Sequence, residues 1–337
     1  TISKGDVGAS HYFYDHLRLL EQYCDGNLRE LAKKITLDNA MLNYLDNTQN
    51  NANNPNENYA REFLELFTIT KGEQIGEGDY STYTEDDVIK AARVFSGFKT
   101  MLDRSIIDSD TGIPMGRISV NQHDQTDKIF SHAFDNYELQ AGVDENSIMD
   151  ELHEFVDMVF DKEATAKAYI EKLYRFFVKS EWGSADETNI INPLTQLLID
   201  NDYEIMPVVR TILSSQHFYD ANDTDPSDEI LGSIVKSPLQ LLSSAIRNLG
   251  FTIPDPNNDM ENYYKFSKFF LDNTFFPMAG MILFGPSTVA GYPAVFQAPD
   301  YDRQWFSSST ILARYKMIEC LINGRNALGG NGQFGAA

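Results

Sequence analysis

Apolar residues recur at three- and four-residue spacings along most of the chain, a period typical of α-helices with one buried face. Near the start, such a stripe is formed by Tyr12, Phe13, His16, Leu17 and Leu20. Later stripes predict helices over about 146–160, 163–179, 186–201, 204–215, 230–249, 259–272 and 305–323. The chain is therefore expected to be mostly helical, and it shows no fixed-period repeat of the kind that solenoids require.

Breaks in this pattern predict where the early helices end. An Asp-Gly-Asn sequence at 25–27 separates the first helix from the second, and Asp38 can cap a short third helix. Residues 46–55 are rich in asparagine and almost free of apolar side chains, which predicts a loop. After the helix that follows, Thr84 and Asp87 approximate a capping box at the start of the next one.

Two segments lack a helical period. Residues 99–122 contain several turn formers, so we expect an irregular insertion with a short β-hairpin. Residues 284–302 carry three prolines and are expected to form an ordered Pro/Gly loop. These patterns predict an all-α fold with a single large helical domain over residues 1–323 and a Gly-rich tail or linker at 324–337.

Charge narrows the range of partners. The chain has 27 Lys and Arg against 50 Asp and Glu, a formal net charge of −23 at pH 7. An acidic surface repels phosphate backbones and anionic lipids, so we exclude nucleic acid and favour a divalent cation or a basic protein. Acidity that serves only solubility remains the alternative.

Several familiar sites are missing from the sequence. Cys24 and Cys320 form neither a CxxC motif nor a zinc spacing, and whether they pair is left open. The chain contains no P-loop, no GxGxxG and no GxSxG motif. No apolar run is long enough for a transmembrane segment.

The densest polar feature is the segment 55–67. On a helix, Glu57, Arg61 and Glu65 stand at four-residue steps, so Arg61 can bridge both acids. Asn58, Glu62 and Glu65 form a neighbouring stripe whose oxygen atoms suit a hard cation. A salt-bridged helix flank beside an apolar face would carry the same residues, so both interpretations stay open.

Two histidines have acidic neighbours. The adjacent residues His123 and Asp124 suit a metal site or an acid–base pair, or a loop histidine that a carboxylate satisfies. The segment 153–157 imitates the zinc motif HExxH, but Asp157 replaces the second histidine. We therefore interpret His153 as part of the polar face of an amphipathic helix.

The order of these blocks resembles the bacterial family called domain of unknown function 1800. The matching blocks are residues 55–68, 83–93, 123–128, 164–178, 236–238, 284–293 and 305–314. Two positions depart from the family pattern: Tyr292 stands where Trp is usual, and Asp161-Lys162 replace His-Pro.

The resemblance implies an exported bacterial protein, periplasmic, cell-surface or extracellular, in a family without an established activity. It also implies a neighbour, because the genes of the family often lie beside those of a second exported family. That second family, domain of unknown function 1501, is similar to phosphatases and sulfatases. Members usually carry a further N-terminal helical part, so we expect such a part to be missing from this chain.

Two functional hypotheses follow. The first is an acidic binding or scaffold component of a cell-surface or secreted assembly, with a partner of the second family. The second is a metal-dependent hydrolase of an extracellular polymer or ester, with Glu62, His123 and Asp124 as catalytic residues. Its divalent cation would be held by Glu62, Glu65, His123 and Asp124. A substrate-binding or structural network is predicted from Asn56, Glu57, Arg61, Glu65, Arg93, Lys128, Trp305 and Arg314.

Overall fold

Helices account for most of the described structure. Each strand has only two or three residues, and the strands form two-stranded sheets. The computed structural model describes residues 2–219 and 234–323. By its internal contacts the chain divides into an N-terminal unit, Ile2–Asp225, and a C-terminal unit that includes Pro226–Ala337. The mostly helical fold predicted from the sequence is confirmed, with small β additions. That residues 1–323 form one domain stays a prediction.

The N-terminal unit contains ten α-helical segments within its described residues. They are α1 (Ser10–Gln22), α2 (Leu28–Ile35), α3 (Asn39–Tyr44), α4 (Asn58–Glu62), α5 (Glu85–Val94), α6 (Glu145–Phe160), α7 (Glu163–Phe177), α8 (Ser184–Asp186), α9 (Asn192–Asp200) and α10 (Ile205–Ser214). A π-helical turn, Phe63–Phe67, continues α4, and a second one, Glu187–Ile191, joins α8 to α9.

Side-chain caps explain where several of these helices begin. The Asn27 side chain accepts hydrogen bonds from the backbone N–H groups at the start of α2, and Asp38 does the same for α3. Thr84 and Asp87 form the predicted capping box of α5. Caps of this kind satisfy N–H groups that have no partner inside the helix.

Three antiparallel strand pairs complete the unit. They are β1 (Gln74–Gly76) with β2 (Asp79–Tyr80), β3 (Phe98–Lys99) with β4 (Arg117–Ile118), and β5 (Lys128–Ile129) with β6 (Glu138–Leu139). The pair β3–β4 is the short hairpin expected in the irregular insertion. The other two pairs were not predicted, because strands of two or three residues are too short to show an alternating pattern.

Aromatic rings form the centre of the core of the N-terminal unit. Phe63, Phe95 and Phe155 are fully buried, and their ring centroids are 5.2 to 5.8 Å apart. Tyr59 and Phe130 pack against the same rings, and each aromatic pair adds to the free energy of simple burial. This core joins α4, α5 and α6, which carry most of the polar residues discussed below.

The C-terminal unit has five α-helices in its described part. They are α11 (Pro238–Leu249), α12 (Met260–Ser267), α13 (Phe275–Met278), α14 (Pro293–Phe296) and α15 (Ile311–Asn323). A second core cluster around Phe270, Phe276 and Trp305 holds them. Among all described residues, no helix combines the length and the apolar character that a membrane crossing requires.

Four sequence predictions for this unit need correction or qualification. The helix predicted from 230 begins at Pro238, because Ser237 caps it, while residues 230–233 lie outside the described residues. The helix predicted from 305 begins at Ile311, since Trp305 ends a 3₁₀ turn. The loop 284–302 also contains a helical turn, α14. The predicted tail at 324–337 lies outside the described residues.

Candidate functional site

His123 lies in a fully buried network of charged groups. Its Nδ1 is 2.9 Å from the Ser96 carbonyl oxygen, and its Nε2 is 2.9 Å from Oε2 of Glu151. The Lys128 ammonium is 2.7 Å from Oε1 of the same carboxylate and donates to the Asp124 carbonyl oxygen at 2.6 Å. The side chains of His123, Lys128 and Glu151 are 0% exposed. We call these three residues the buried network.

Local backbone geometry brings these groups together. His123 directly follows a 3₁₀ turn, Val120–Gln122, and Glu151 lies on the buried face of α6. The Gly142 N–H donates to Glu151 at 2.7 Å, and a Cβ at Gly142 would lie 2.4 Å from the backbone nitrogen of Ile148. Only glycine therefore allows the chain to approach α6 this closely.

Asp124 extends the network towards the surface. It accepts hydrogen bonds from the N–H and the hydroxyl of Thr126, and its Oδ2 is 3.2 Å from the Arg93 guanidinium. Burial alone would raise the pKa of Asp124, but Thr126 and the charges of Lys128 and Arg93 lower it overall. Arg93 and Lys128, two members of the network predicted from the sequence, both contact Asp124.

The side chains of the buried network contact one another and nearby backbone groups. Both ring nitrogens of His123 lie 2.9 Å from protein oxygen atoms, so neither faces a space from which a metal ion or a substrate could approach. The geometry favours a structural role for His123 over the predicted catalytic one. Glu151 was not predicted; the only signal was a charged residue within the apolar stripe of α6, beside Ile148, Leu152 and Phe155.

A second polar group surrounds the π-helical turn that continues α4. We call it the carboxylate cluster, and its members are Glu57, Arg61, Glu62, Glu65, Tyr83 and Glu85. Arg61 forms a two-pronged ion pair with Glu85 at 2.7 and 3.0 Å and contacts Glu57 at 3.1 Å. The side chains of all three lie partly in solvent.

The predicted bridge between Arg61 and Glu65 is wrong. Glu65 instead lies 3.7 Å from the Lys71 ammonium. The reason is the π-helical turn, which starts at Phe63 and contains more residues than an α-helical turn. A side chain four positions after Arg61 therefore no longer stands above it.

Within the described residues, Glu62 has no ion pair of its own. It is half-buried, and burial raises its pKa, as does the charge of Glu65, while Arg61 lowers it only in part. Tyr83 is fully buried; burial, then the charge of Glu65, raises the pKa of its hydroxyl, and Arg61 lowers it. That hydroxyl lies beside Glu65 but makes no well-formed hydrogen bond with any residue in the described part of the chain. A group with a shifted pKa that solvent can reach is a candidate for a functional site, and Glu62 meets both conditions.

The π-helical turn is held from α7. The Tyr169 hydroxyl donates to the Phe67 carbonyl oxygen at 2.8 Å, and the Lys172 ammonium donates to that of Leu66 at 2.6 Å. These bonds satisfy carbonyl groups at the end of the turn. π-Helical turns are frequent at functional sites, which adds to the interest of the carboxylate cluster.

The predicted metal ligands do not form one group. Among residues 2–219 and 234–323, no three His, Cys, Asp or Glu side chains lie close enough together to hold a metal ion. Glu62 and Glu65 belong to the carboxylate cluster, whereas His123 bonds to Ser96 and Glu151, and Asp124 to Arg93 and Thr126.

Three further predicted residues have other surroundings. Asn56 bonds to Asn50 and to the Asp46 carbonyl group within the asparagine-rich loop. In the C-terminal unit, Trp305 is buried against Tyr292. Arg314 is partly buried, and burial lowers its pKa. One of its guanidinium nitrogens has no hydrogen-bond partner among the residues that the structure describes.

Glu62→Gln is expected to stabilise the protein at pH 7 by less than about 1 kcal/mol, because solvent screens a half-buried charge. In the folded state the pKa of Glu62 lies above its ordinary value of 4.5. The free energy of unfolding therefore falls as the pH rises from about 4.5 through the folded-state pKa. Glutamine removes this cost. Urea unfolding at several pH values should show the gain at pH 7 and its loss below about 4.5, whereas a variant less stable at pH 7 would contradict this account.

A family model with the description "Protein of unknown function (DUF1800)" matches residues 1–332. No curated protein and no solved structure matches the chain.

Proposed function

The chain belongs to the DUF1800 family, and on that premise we propose that it is an exported binding component of a bacterial cell-surface or secreted assembly. Its proposed partner is an exported protein of the domain of unknown function 1501 family. The carboxylate cluster is the proposed contact site, where it receives a lysine or arginine side chain of the partner.

The observation that carries this proposal is the pair Glu62 and Glu65. Burial and the charge of Glu65 raise the pKa of Glu62, and Arg61 opposes this only in part. A cation inserted beside the pair would remove this mutual repulsion.

The net charge of the whole protein also favours a basic partner. A net charge of −23 attracts a basic partner over a long range, and ionic strength weakens that attraction. We do not extend the proposal to the metal-dependent hydrolase, because the four residues predicted to hold its metal lie in separate networks.

Binding to a purified domain of unknown function 1501 protein from the same genome tests the proposal by calorimetry. We expect complex formation at about 50 mM salt and weaker binding at about 500 mM, since salt screens exposed charges. Glu62→Gln and Glu65→Gln should each weaken binding about tenfold or more, because each leaves the partner's cation incompletely paired.

Glu138→Gln is the matched control, because Glu138 is an exposed carboxylate away from the cluster. It should bind nearly as the unmodified protein does. Equal binding by the Glu62→Gln and Glu138→Gln variants would overturn the assignment of the site, and absence of binding at low salt would overturn the partner. Glu62→Gln also separates binding from folding, since it is expected to stabilise the protein while it weakens the complex.

A further inference from the structure

Arg314, on α15 of the C-terminal unit, has no partner of opposite charge in the part of the chain that the structure describes. Its guanidinium donates no hydrogen bond there. Burial lowers its pKa, and no described carboxylate is near enough to oppose this effect. A guanidinium that loses part of its hydration without gaining a partner costs free energy. Arg314 is therefore a candidate for the recognition of an anion from outside the chain.

The other partly buried arginines of the described ranges show what Arg314 lacks. Four of them pair with a carboxylate: Arg29 with Asp157, Arg61 with Glu85, Arg93 with Asp124 and Arg104 with Asp15. The fifth, Arg175, donates to a backbone carbonyl group and lies on the ring of Trp182. In a chain with 50 acidic residues, a partly buried arginine without a carboxylate is an exception that calls for a physical reason.

One edge of the Arg314 guanidinium is open. Its Nη1 is closed off from solvent, whereas Nε and Nη2 are not. These two nitrogens carry parallel N–H groups, which can bind two oxygen atoms of one anion. Arg104 uses the same pair, since its Nε and Nη2 donate to the two oxygens of Asp15 at 3.1 and 2.8 Å. The open edge of Arg314 therefore suits a carboxylate or a phosphate.

The first turn of α15 offers further donors. The N–H of Leu312 has no acceptor among the described residues, and Leu312 is 55% exposed. Ser308, just before the helix, is exposed and its hydroxyl makes no hydrogen bond within the same residues. Helical side chains lean towards the N-terminus of their helix, so that of Arg314 extends towards this turn. The backbone dipoles at a helix start also attract an anion.

The charge of the C-terminal unit permits an anion. Its described residues 234–323 contain seven Lys and Arg and seven Asp and Glu, a formal charge of zero, whereas residues 2–219 contain 19 and 38. The acid nearest to Arg314 in its own helix, Glu319, is paired with Lys316. The acidity that argues against nucleic acid is thus concentrated outside residues 234–323.

We propose that Arg314 and the first turn of α15 bind a phosphate group. The Nε–Nη2 edge of Arg314 holds two phosphate oxygens, and the Leu312 N–H and the Ser308 hydroxyl donate to a third. A carboxylate has only two oxygens and would use fewer of these donors. Free phosphate and a phosphate monoester present the same chemistry. Since none of these residues belongs to the carboxylate cluster or the buried network, the site goes beyond the proposed function.

Calorimetric titration of the purified chain with inorganic phosphate at about 20 mM salt tests the proposal. We expect a dissociation constant on the order of 1 mM or below, and weaker binding of acetate. Phenyl phosphate distinguishes the two sources: tighter binding than that of inorganic phosphate would assign the site to a phosphate ester, and equal or weaker binding to free phosphate. No phosphate binding at about 20 mM, or acetate binding as tight as that of phosphate, would overturn the proposal.

Two substitutions test the role of the guanidinium. Arg314→Lys keeps the charge but lacks the paired N–H groups, so it should bind phosphate at least about fivefold more weakly. Arg314→Met should show no measurable binding. Arg247→Met is the matched control, because Arg247 is an exposed arginine on α11 of the same unit, and it should bind as the unmodified chain does. Undiminished binding by Arg314→Met would contradict the assignment.

Thermal unfolding separates phosphate binding from a structural role of Arg314. Without phosphate, Arg314→Met should unfold at the temperature of the unmodified chain or above it, since no ion pair is lost. Phosphate at about 10 mM should then raise the unfolding temperature of the unmodified chain and not that of Arg314→Met. Earlier unfolding of Arg314→Met in phosphate-free buffer would show that the arginine serves the fold instead. Glu62→Gln should bind phosphate normally, so the outcome does not depend on the carboxylate cluster.

Discussion

Glu151→Leu is expected to lower the free energy of unfolding by roughly 3–5 kcal/mol, because it leaves the buried Lys128 ammonium without its nearest carboxylate and with only that of Asp124, at 3.8 Å. Lys128 is fully buried, and Glu151 is the carboxylate 2.7 Å from its ammonium. The same substitution removes the group that faces Nε2 of His123 at 2.9 Å. It also removes the acceptor of the Gly142 N–H. Urea unfolding followed by circular dichroism measures the effect.

Two variants show whether the lost charge pair is the cause. Glu154 is on the same helix but is exposed, where it accepts a hydrogen bond from the Tyr137 hydroxyl. Glu154→Leu should cost at most about 1 kcal/mol. The double variant Lys128→Met with Glu151→Leu should cost less than the sum of the single variants, since it leaves no unpaired ammonium. Equal costs for Glu151→Leu and Glu154→Leu would show that the buried network does not stabilise the fold.

Asp87→Ala is expected to be the second most damaging of these changes, with a cost of roughly 2–4 kcal/mol, because several hydrogen bonds to a buried carboxylate are lost together. Asp87 is 0% exposed. It accepts hydrogen bonds from the N–H and the hydroxyl of Thr84 at 2.8 and 3.0 Å. It also accepts from the N–H and the hydroxyl of Ser131 at 2.7 and 2.6 Å.

An ordinary helix cap is the control for this variant. Asp144 caps α6 in a similar box but lies at an exposed position, so Asp144→Ala should cost about 1 kcal/mol. Thermal and urea unfolding of both variants would separate the contribution of Ser131 from that of capping alone. If the two variants lose the same stability, the contact with Ser131 contributes nothing measurable.

Asp87 also links stability to the proposed binding site. It completes the capping box of α5 with Thr84, and the first residue of that helix, Glu85, forms the ion pair with Arg61 in the carboxylate cluster. Loss of these hydrogen bonds would loosen the first turn of α5, and Glu85 would no longer be held in one position. We therefore expect Asp87→Ala to disturb the cluster indirectly, whereas Glu62→Gln changes its charge and leaves the fold intact.

The sequence alone determined most of the helices and several of their starting points. Hydrophobic spacing within one helix and a cap such as Thr84 with Asp87 are local features, so neighbouring residues suffice to predict them. Local spacing also predicted the ion pair between Glu57 and Arg61. It failed for Glu65, where a π-helical turn changes the angle between side chains.

Only the tertiary structure decided which distant charges meet. His123 and Glu151 are separated by 28 positions, and Arg61 and Glu85 by 24. Their contacts depend on how α4, α5 and α6 pack around Phe63, Phe95 and Phe155. That packing placed Glu151 opposite Lys128 and His123, and it left Glu62 half-buried beside Glu65. A glutamate thus belongs to the core in one place and to a partly exposed site in the other, because burial and neighbouring charge, rather than sequence spacing, decide what a carboxylate does.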